Sequence, residues 1–156
     1  MSRIHASNGD LVKEFSKEYR IFIPIKDIPD DLKNAFISAE DKNFYHHFGV
    51  DPLGIIRASV KNISNFFSDK RPEGASTITQ QVAKNFLLSD ELSLNRKIKE
   101  GLLALKIDQT LPKERILELY LNQIYLGSGT YGIAAASNRY FKKSLSELNI
   151  LSLIHI

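Results

Sequence analysis

The sequence predicts a mostly α-helical domain with a short β-hairpin at its N-terminus. From Pro29 onwards, helix start signals recur, and apolar residues follow them at three- and four-residue steps. Before that point, Asn8-Gly9 lies between two short extended runs, which is a strong signal for a tight hairpin turn. The 156 residues suit one domain of ordinary size, and no linker or internal repeat divides them.

Extended structure is predicted only near the N-terminus. The hairpin pairs residues 3–6 with residues 11–15, and a partly alternating stretch follows over residues 19–25. The remaining segments show helical spacing, so the hairpin is expected to be the main β element of the domain.

Helices account for the rest of the predicted structure. Pro29-Asp30-Asp31 offers N-cap chemistry for the first, and Asp51-Pro52 pairs a capping Asp with a Pro at the first position of the second. Thr77-Ile-Thr-Gln80 resembles a capping box, in which two residues bond each other's backbone N–H groups. Helices are predicted over residues 31–40, 52–67, 77–88, 93–109, 112–122 and 131–141.

Composition restricts the functional class. The net charge of +3 is too small for bulk nucleic-acid binding and suits an anionic lipid surface or a phosphate-bearing substrate. The absence of cysteine excludes disulfides, thiolate metal sites and cysteine nucleophiles. No stretch approaches the roughly 20 apolar residues that span a bilayer, and the N-terminus lacks a signal-peptide pattern. The chain is therefore expected to be either cytosolic or a piece of a longer protein.

The C-terminal end favours a piece of a longer protein, because residues 145–156 stop inside an apolar helical pattern without a cap. The last six residues can also be translated from a common transposase sequencing adapter, so we hypothesise that the native sequence diverges at about Leu151. The predicted domain accordingly covers residues 1–150 and is incomplete at its C-terminus, with residues 151–156 as a sequence artefact.

Four segments carry candidate chemistry. In the first, Glu40 and Asp41 form a carboxylate pair at a helix end, and an aromatic-rich turn follows them. Aromatic neighbours desolvate a carboxylate and raise its pKa, as a general acid or base at neutral pH requires. The alternative is that both carboxylates are solvated residues at a helix terminus.

The second segment, residues 74–85, crowds hydroxyl and amide side chains around a helix start and adds Lys84 two turns on. Free backbone N–H groups and the helix dipole favour anions at such a place, so a diphosphate-sugar is a candidate ligand. The alternative is ordinary capping followed by a polar helix face.

The third segment begins at Arg96-Lys97 and becomes apolar all round towards its end. A helical wheel puts Glu100 opposite an apolar face formed by Leu94, Ile98, Leu102 and Leu105. Since an all-round apolar helix is buried, Glu100 is expected where the helix passes from the surface into the core, near cations. The alternative is a solvated salt bridge between Arg96 and Glu100. The fourth segment, residues 113–127, is interpreted as structural support.

Taken in order, these segments resemble the glycosyltransferase domain of bifunctional penicillin-binding proteins and monofunctional peptidoglycan glycosyltransferases, glycosyltransferase family 51. The resemblance covers about residues 3–150 and implies a lysozyme-like, mainly α fold. Its most specific stretches are Glu40-Asp-x-x-Phe-x-x-His-x-Gly49, Gly74-x-Ser-Thr-Ile-Thr-Gln-Gln81, Arg96-Lys-x-x-Glu100 and Ile116-Leu-Glu-x-Tyr-Leu-Asn122.

The resemblance also implies a reaction. Glu40 is then the base that deprotonates the 4-hydroxyl of the acceptor sugar, whose oxygen attacks the anomeric carbon of a lipid-linked donor strand with inversion. Undecaprenyl diphosphate leaves, and Glu100 helps to position or stabilise that diphosphate. No cofactor is obligatory, and Mg or Mn assists some members. The substrate-binding positions implied by the resemblance are Asp41, Phe44, His47, Ser76, Thr77, Gln80, Gln81, Lys84, Asn85, Arg96 and Lys97.

Partners and location follow from the same resemblance. It implies lipid II, the growing glycan strand and the membrane surface as partners, at the outer, periplasmic side of the bacterial cytoplasmic membrane, and no nucleic acid. It also implies a membrane anchor before this segment and, in bifunctional relatives, a transpeptidase domain after it. Residues 62–71 place paired phenylalanines beside a basic pair, which suggests an interfacial segment. The alternative is that both rings belong to the core.

Two positions depart from the family pattern. Leu92 stands where many relatives carry an arginine at the donor diphosphate, which predicts weaker donor binding or compensation by Lys97 or Lys99. Lys142 replaces a glycine, so its turn is expected to differ. Two other functions stay open: a lysozyme-like enzyme that cleaves finished glycan, and a non-catalytic domain that only binds precursor.

Overall fold

The structure, a computed structural model, describes residues 2–9, 11–15, 18–66, 74–87 and 94–148. The chain divides into two compact units, one formed by residues 1–23 with 121–156 and the other by residues 24–120. The described residues are mainly helical with a β-hairpin at the N-terminus, which confirms the predicted fold class. Leu92, Phe67 and residues 149–156, to which sequence predictions were attached, lie outside the described residues.

The elements follow the predicted order. The helices are α1 (Asp30–Glu40), α2 (Pro52–Phe66), α3 (Ile78–Leu87), α4 (Leu94–Thr110), α5 (Lys113–Gln123) and α6 (Ile133–Ala136). The strands are β1 (Ser2–His5), β2 (Leu11–Phe15), β3 (Tyr19–Arg20) and β4 (Thr130–Tyr131). The predicted last helix is divided, because α6 continues as a π-helical turn over Ser137–Phe141.

The unit formed by the two chain ends holds all four strands. β1 and β2 pair antiparallel around the turn at Gly9, whose φ of +88° explains why glycine suits this position. β3 pairs in parallel with β4, so the extended stretch predicted over residues 19–25 becomes a strand only at its start. Its end instead forms a 3₁₀ turn, Ile25–Asp27, which belongs to the other unit.

A local capping signal marks the start of α2, whereas α1 begins without one. Asp51 Oδ1 accepts a hydrogen bond from the Gly54 N–H at 2.9 Å, as predicted for the cap of α2. That bond and a second from the Asn43 amide lower the pKa of Asp51, so the cap is charged at neutral pH. The cap predicted for α1 is wrong, because Pro29 occupies the N-cap position and makes no side-chain cap bond.

The core of the second unit contains buried apolar side chains of α1, α3 and α5 together with the ring of Phe44. Phe44 is fully buried, and α5 contributes the inner face that its apolar pattern predicted. Tyr120 meets the ring of Phe36 edge-on, with 6.2 Å between centroids. Within this unit, the other buried apolar side chains of these helices are Leu32, Ile37, Ile78, Val82, Ala83, Ile116 and Leu117.

Helices α2 and α4 turn their apolar faces outward. On α4 the buried residues are Glu100 and Ala104, whereas the leucine and isoleucine face of the helical wheel is 38–85% exposed. The expectation that the end of α4 is buried all round is therefore wrong. On α2, Ala58 is buried, and the exposed apolar side chains are Leu53, Ile55, Ile56, Val60 and Ile63.

Lys142, the residue that replaces a family glycine, adopts a left-handed conformation with φ 55° and ψ 35°. This conformation is unfavourable for a residue with a Cβ and is the one that glycine tolerates. The backbone of this turn therefore has the form that a glycine would favour, although a lysine occupies it.

A close approach of two backbones fixes the turn before α2 against α4. A Cβ added to Gly49, whose φ is +85°, would lie 2.4 Å from the Ala104 carbonyl oxygen. We expect Gly49→Ala to lower the free energy of unfolding by about 3 kcal/mol, from strain and overpacking together. Gly101→Ala is the matched control, because its Cβ would meet open space within α4, and it should stabilise by about 0.5 kcal/mol. Denaturant unfolding measures the change in unfolding free energy for both variants. Equal changes in Gly49→Ala and Gly101→Ala would contradict the close approach.

Candidate active site

A cleft of about 360 Å³ lies in the second unit, where the end of α1 and the start of α2 meet the approach to α3. Among the predicted site residues, it is lined by Glu40, Asp41, Ser76, Thr77 and Gln81. Three polar lining residues, Lys42, Asn43 and Arg57, were not anticipated by the motifs. The cleft combines carboxylates with cations, which suits a substrate that carries both hydroxyl and phosphate groups.

Glu40 is the exposed carboxylate of this cleft. It ends α1, and its Oε2 accepts a hydrogen bond from Gln81 Nε2 at 3.0 Å. The expectation that the aromatic turn desolvates Glu40 is wrong, because Glu40 is exposed while Phe44 is buried away from solvent. An exposed carboxylate with one amide donor keeps lone pairs free to accept a proton from a bound hydroxyl.

Asp41, directly after Glu40, is buried and holds the site together. Its Oδ2 accepts hydrogen bonds from His47 Nε2 at 2.9 Å and from the Ile78 N–H at 3.0 Å. The second bond places a carboxylate at the first residue of α3, where the helix dipole stabilises negative charge. The anion at this helix start is therefore the protein's own Asp41.

The start of α3 forms the predicted capping box. Thr77 N–H donates to Gln80 Oε1 at 3.0 Å, and the Gln80 N–H donates to Thr77 Oγ1 at 3.1 Å. Thr77 Oγ1 also donates to the Gly49 carbonyl at 2.6 Å. Because the Ile78 N–H is bound to Asp41, the N–H groups of Thr77, Ile78 and Gln80 are satisfied within the protein, so the prediction of free N–H groups is wrong for these three residues.

Glu100 is buried, as predicted, and its partner is a lysine one turn back. Lys97 Nζ bonds Glu100 Oε1 and also donates to Ser76 Oγ at 2.9 Å. The side chain of Glu100 is 3% exposed and that of Lys97 50% exposed. The alternative of a solvated bridge to Arg96 is wrong, because the carboxylate of Glu100 is buried and paired with Lys97.

The remaining predicted residues do not line the cleft. Phe44 and His47 lie in the core beneath it, and Gln80 is buried in the capping box. Lys84 and Asn85 are exposed further along α3, and Arg96 is half-buried on α4. The motifs therefore mix residues that face the cleft with residues that support it.

Tyr120 places a further buried polar group on α5. Burial, and then the negative charge of Glu40, raise the pKa of Tyr120 well above its ordinary value, so its phenol stays neutral. Its hydroxyl has no hydrogen-bond partner among the described residues. The described residues also contain no group of three or more His, Asp or Glu side chains that could hold a metal ion.

Comparison with known proteins decides the family. The model of the transglycosylase family matches residues 8–155 of the chain. The chain belongs to the transglycosylase family. The resemblance to glycosyltransferase family 51 is thereby confirmed, and the lysozyme-like helical domain carries peptidoglycan glycosyltransferase chemistry. Neither the glycan-cleaving nor the binding-only alternative is favoured.

Full-length relatives carry this transglycosylase domain within longer chains. The chain is 57% identical over 150 residues to penicillin-binding protein 1A of Rickettsia felis, covering 96% of the chain and 19% of that protein. It is 48% identical to penicillin-binding protein 1A of Aquifex aeolicus, covering 96% and 20%, and 50% identical to that of Neisseria gonorrhoeae, covering 94% and 18%. The chain spans about a fifth of the length of these relatives.

The Lys97–Glu100 ion pair can be tested by its effect on the free energy of unfolding of the transglycosylase domain. Lys97→Met should cost roughly 2 kcal/mol, because it leaves the buried Glu100 carboxylate without its cation. Adding Glu100→Gln should recover most of that loss, since the buried charge is removed as well. Lys99→Met, an exposed lysine on the same helix, is the matched control and should change stability by less than about 0.5 kcal/mol. Denaturant unfolding of the parent protein and the three variants measures these changes. Equal losses of unfolding free energy in Lys97→Met and Lys99→Met would contradict the pairing.

Proposed function

We propose that this domain polymerises lipid II into β-1,4-linked glycan, with Glu40 as the general base. The observation that carries the proposal is an exposed glutamate, held by Gln81, in a cleft that is also lined by Lys42 and Arg57. A carboxylate beside cations is the combination that a sugar hydroxyl acceptor and a diphosphate leaving group require.

The base acts on the acceptor sugar. Glu40 Oε1 or Oε2 takes the proton of the 4-hydroxyl as the oxygen forms its bond to the anomeric carbon of the donor. The bond from that carbon to the diphosphate oxygen breaks on the opposite face, which inverts the configuration. A sugar hydroxyl is a poor nucleophile, so a positioned base should contribute roughly 10²–10⁴-fold to the rate.

Cations stabilise the departing diphosphate. Arg57 and Lys42 line the cleft, and Lys97 reaches the same segment through Ser76. Because the N–H groups of Thr77, Ile78 and Gln80 are bound within the protein, these side chains are the charge that we expect the domain to offer to a leaving diphosphate. Glu100, buried and bound to Lys97, orients that lysine, which fits the predicted role at the diphosphate. Direct contacts of Lys84, Asn85 and Arg96 with substrate stay predictions.

Magnesium or manganese was expected to assist only some family members. We propose that such an ion, where it assists, binds the diphosphate of the substrate. The carboxylates near the cleft are engaged by protein donors, with Asp41 on His47 and Asp51 on Asn43. The described residues therefore do not fit a resident metal site, and no step of the proposed reaction passes through a metal ion.

The base is tested by polymerisation of fluorescent lipid II in detergent, resolved on a gel. Glu40→Gln in the full-length protein should abolish the ladder of glycan strands, with at least a 100-fold lower rate, because Gln cannot accept the proton. Glu114→Gln, an exposed glutamate on α5, is the matched control and should leave the ladder intact. A ladder of ordinary intensity from the Glu40 variant would remove Glu40 as the base.

The membrane surface is the second partner that we propose. The apolar faces of α2 and α4 are exposed, and α2 also carries Arg57 and Lys61, which suits an interface with anionic headgroups. No helix among the described residues is long and apolar enough to cross a membrane. We therefore propose peripheral contact at the outer face of the cytoplasmic membrane, with a transpeptidase domain elsewhere in the full-length protein. The predicted contact by Phe66 and Phe67 stays a prediction.

Liposome binding tests the outward face of α2. Ile56→Ser with Val60→Ser should reduce co-sedimentation with anionic vesicles severalfold, because roughly two-thirds of each side chain is available to lipid. Ile21→Ser with Phe22→Ser, two exposed apolar residues of the other unit, is the matched control and should bind like the parent protein. Unchanged binding by the α2 variant would assign lipid contact to another surface.

A further inference from the structure

Beneath the cleft, Lys113 and Asp108 form an ion pair that the proposed reaction does not use. Lys113 opens α5 and Asp108 lies near the end of α4. Lys113 Nζ is 2.7 Å from Asp108 Oδ2, and their side chains are only 18% and 5% exposed. Lys113 begins the fourth segment, which was interpreted as structural support, whereas Asp108 belongs to none of the four segments. Neither residue lines the cleft.

The ammonium group of Lys113 is bound on three sides. Besides Asp108, it donates to the backbone carbonyl of His47 at 2.7 Å. It also lies 4.8 Å from the centroid of the Phe44 ring, at the distance of a cation–π contact. Lys113 therefore holds both the end and the middle of the turn that follows Glu40.

Asp108 extends this contact to α3. Its Oδ2 accepts a hydrogen bond from Thr79 Oγ1 at 3.2 Å. Thr79 follows Ile78, whose N–H bonds Asp41. A closed ring of buried and part-buried contacts results. It runs from Asp41 to His47 and Lys113, on to Asp108 and Thr79, and back through Ile78 to Asp41.

This ring contains Asp41, one of the two groups next to Glu40, and it is joined to the other, Gln81, through α3. Asp41 is the next residue in the chain, and Gln81, the hydrogen-bond donor to Glu40, lies on α3 one turn after Ile78. Buried ion pairs contribute little net stability, because desolvation offsets their attraction, but their directional bonds fix geometry. The ring therefore fixes where the α1 end stands relative to α3.

We propose that Lys113 and Asp108 are positioning residues for Glu40, acting through the turn over residues 41–47. The proposal rests on the proposed function of Glu40 as the base. Loosening the ring should let the Glu40 carboxylate shift against the bound hydroxyl, which lowers the rate of the chemical step. Substrate binding should change little, because the cleft is lined by other side chains.

The test compares Lys113→Met, Asp108→Asn and the double variant in the full-length protein, with Lys106→Met on α4 as the matched control. For lipid II polymerisation, Lys113→Met should lower kcat at least tenfold with KM within twofold of the parent value. Lys106 is exposed and lies outside the ring, so its variant should keep the parent kcat.

The double variant separates positioning from stability. Removing both charges should restore much of the thermal stability lost in the single variants, because no buried charge remains without a partner. If Lys113 positions Glu40, kcat stays low in the stable double variant, because the bond to the His47 carbonyl is still missing. Recovery of kcat together with stability would overturn the proposal.

A second readout does not depend on activity. Hydrogen exchange should be faster in Lys113→Met than in Lys106→Met for peptides that cover residues 41–47 and 76–81. Unchanged hydrogen exchange in both segments would show that Lys113 does not couple the turn over residues 41–47 to α3. That result would overturn the proposal even if the parent protein polymerised lipid II. An inactive parent protein would instead overturn the proposed function, while exchange would still decide whether the ring links the turn to α3.

Discussion

The buried carboxylate of Asp41 is the constraint on which the site depends. It lies at the first residue of α3 and accepts bonds from His47 and from the Ile78 N–H. A helix start attracts an anion, and here the protein supplies that anion itself. Two consequences follow: α1 is fastened to α3, and the Ile78 N–H is satisfied within the protein.

Adjacent residues thus take opposite roles because their surroundings differ. Glu40 is exposed with one amide donor, while Asp41 is buried with its charge fully engaged. The same division recurs at α4, where Glu100 is buried and Lys97 extends from it towards Ser76. In each pair a buried carboxylate lies beside an exposed charged side chain.

Sequence patterns predicted features that are decided within a few residues. The Asp51 cap, the Thr77–Gln80 box and the turn at Gly9 were all correct, because each depends on bonds spanning one turn. Features that depend on distant contacts were missed. A helical wheel gives the angles between residues of α4 but not which side meets the core. The bond from Ile78 to Asp41 joins residues 37 apart, which no local pattern encodes.

The orientation of α4 follows from a steric limit. Gly49 approaches the backbone at Ala104 so closely that a Cβ at Gly49 would lie 2.4 Å from the Ala104 carbonyl oxygen. Burial of each leucine would gain roughly 1.5–3 kcal/mol, but the residue of α4 at this close approach is Ala104. The small residue therefore faces inward with Glu100 beside it, and Leu94, Ile98 and Leu102 remain outside. The exposed apolar surface of this helix therefore accompanies an inward face that consists of a small residue and a paired carboxylate.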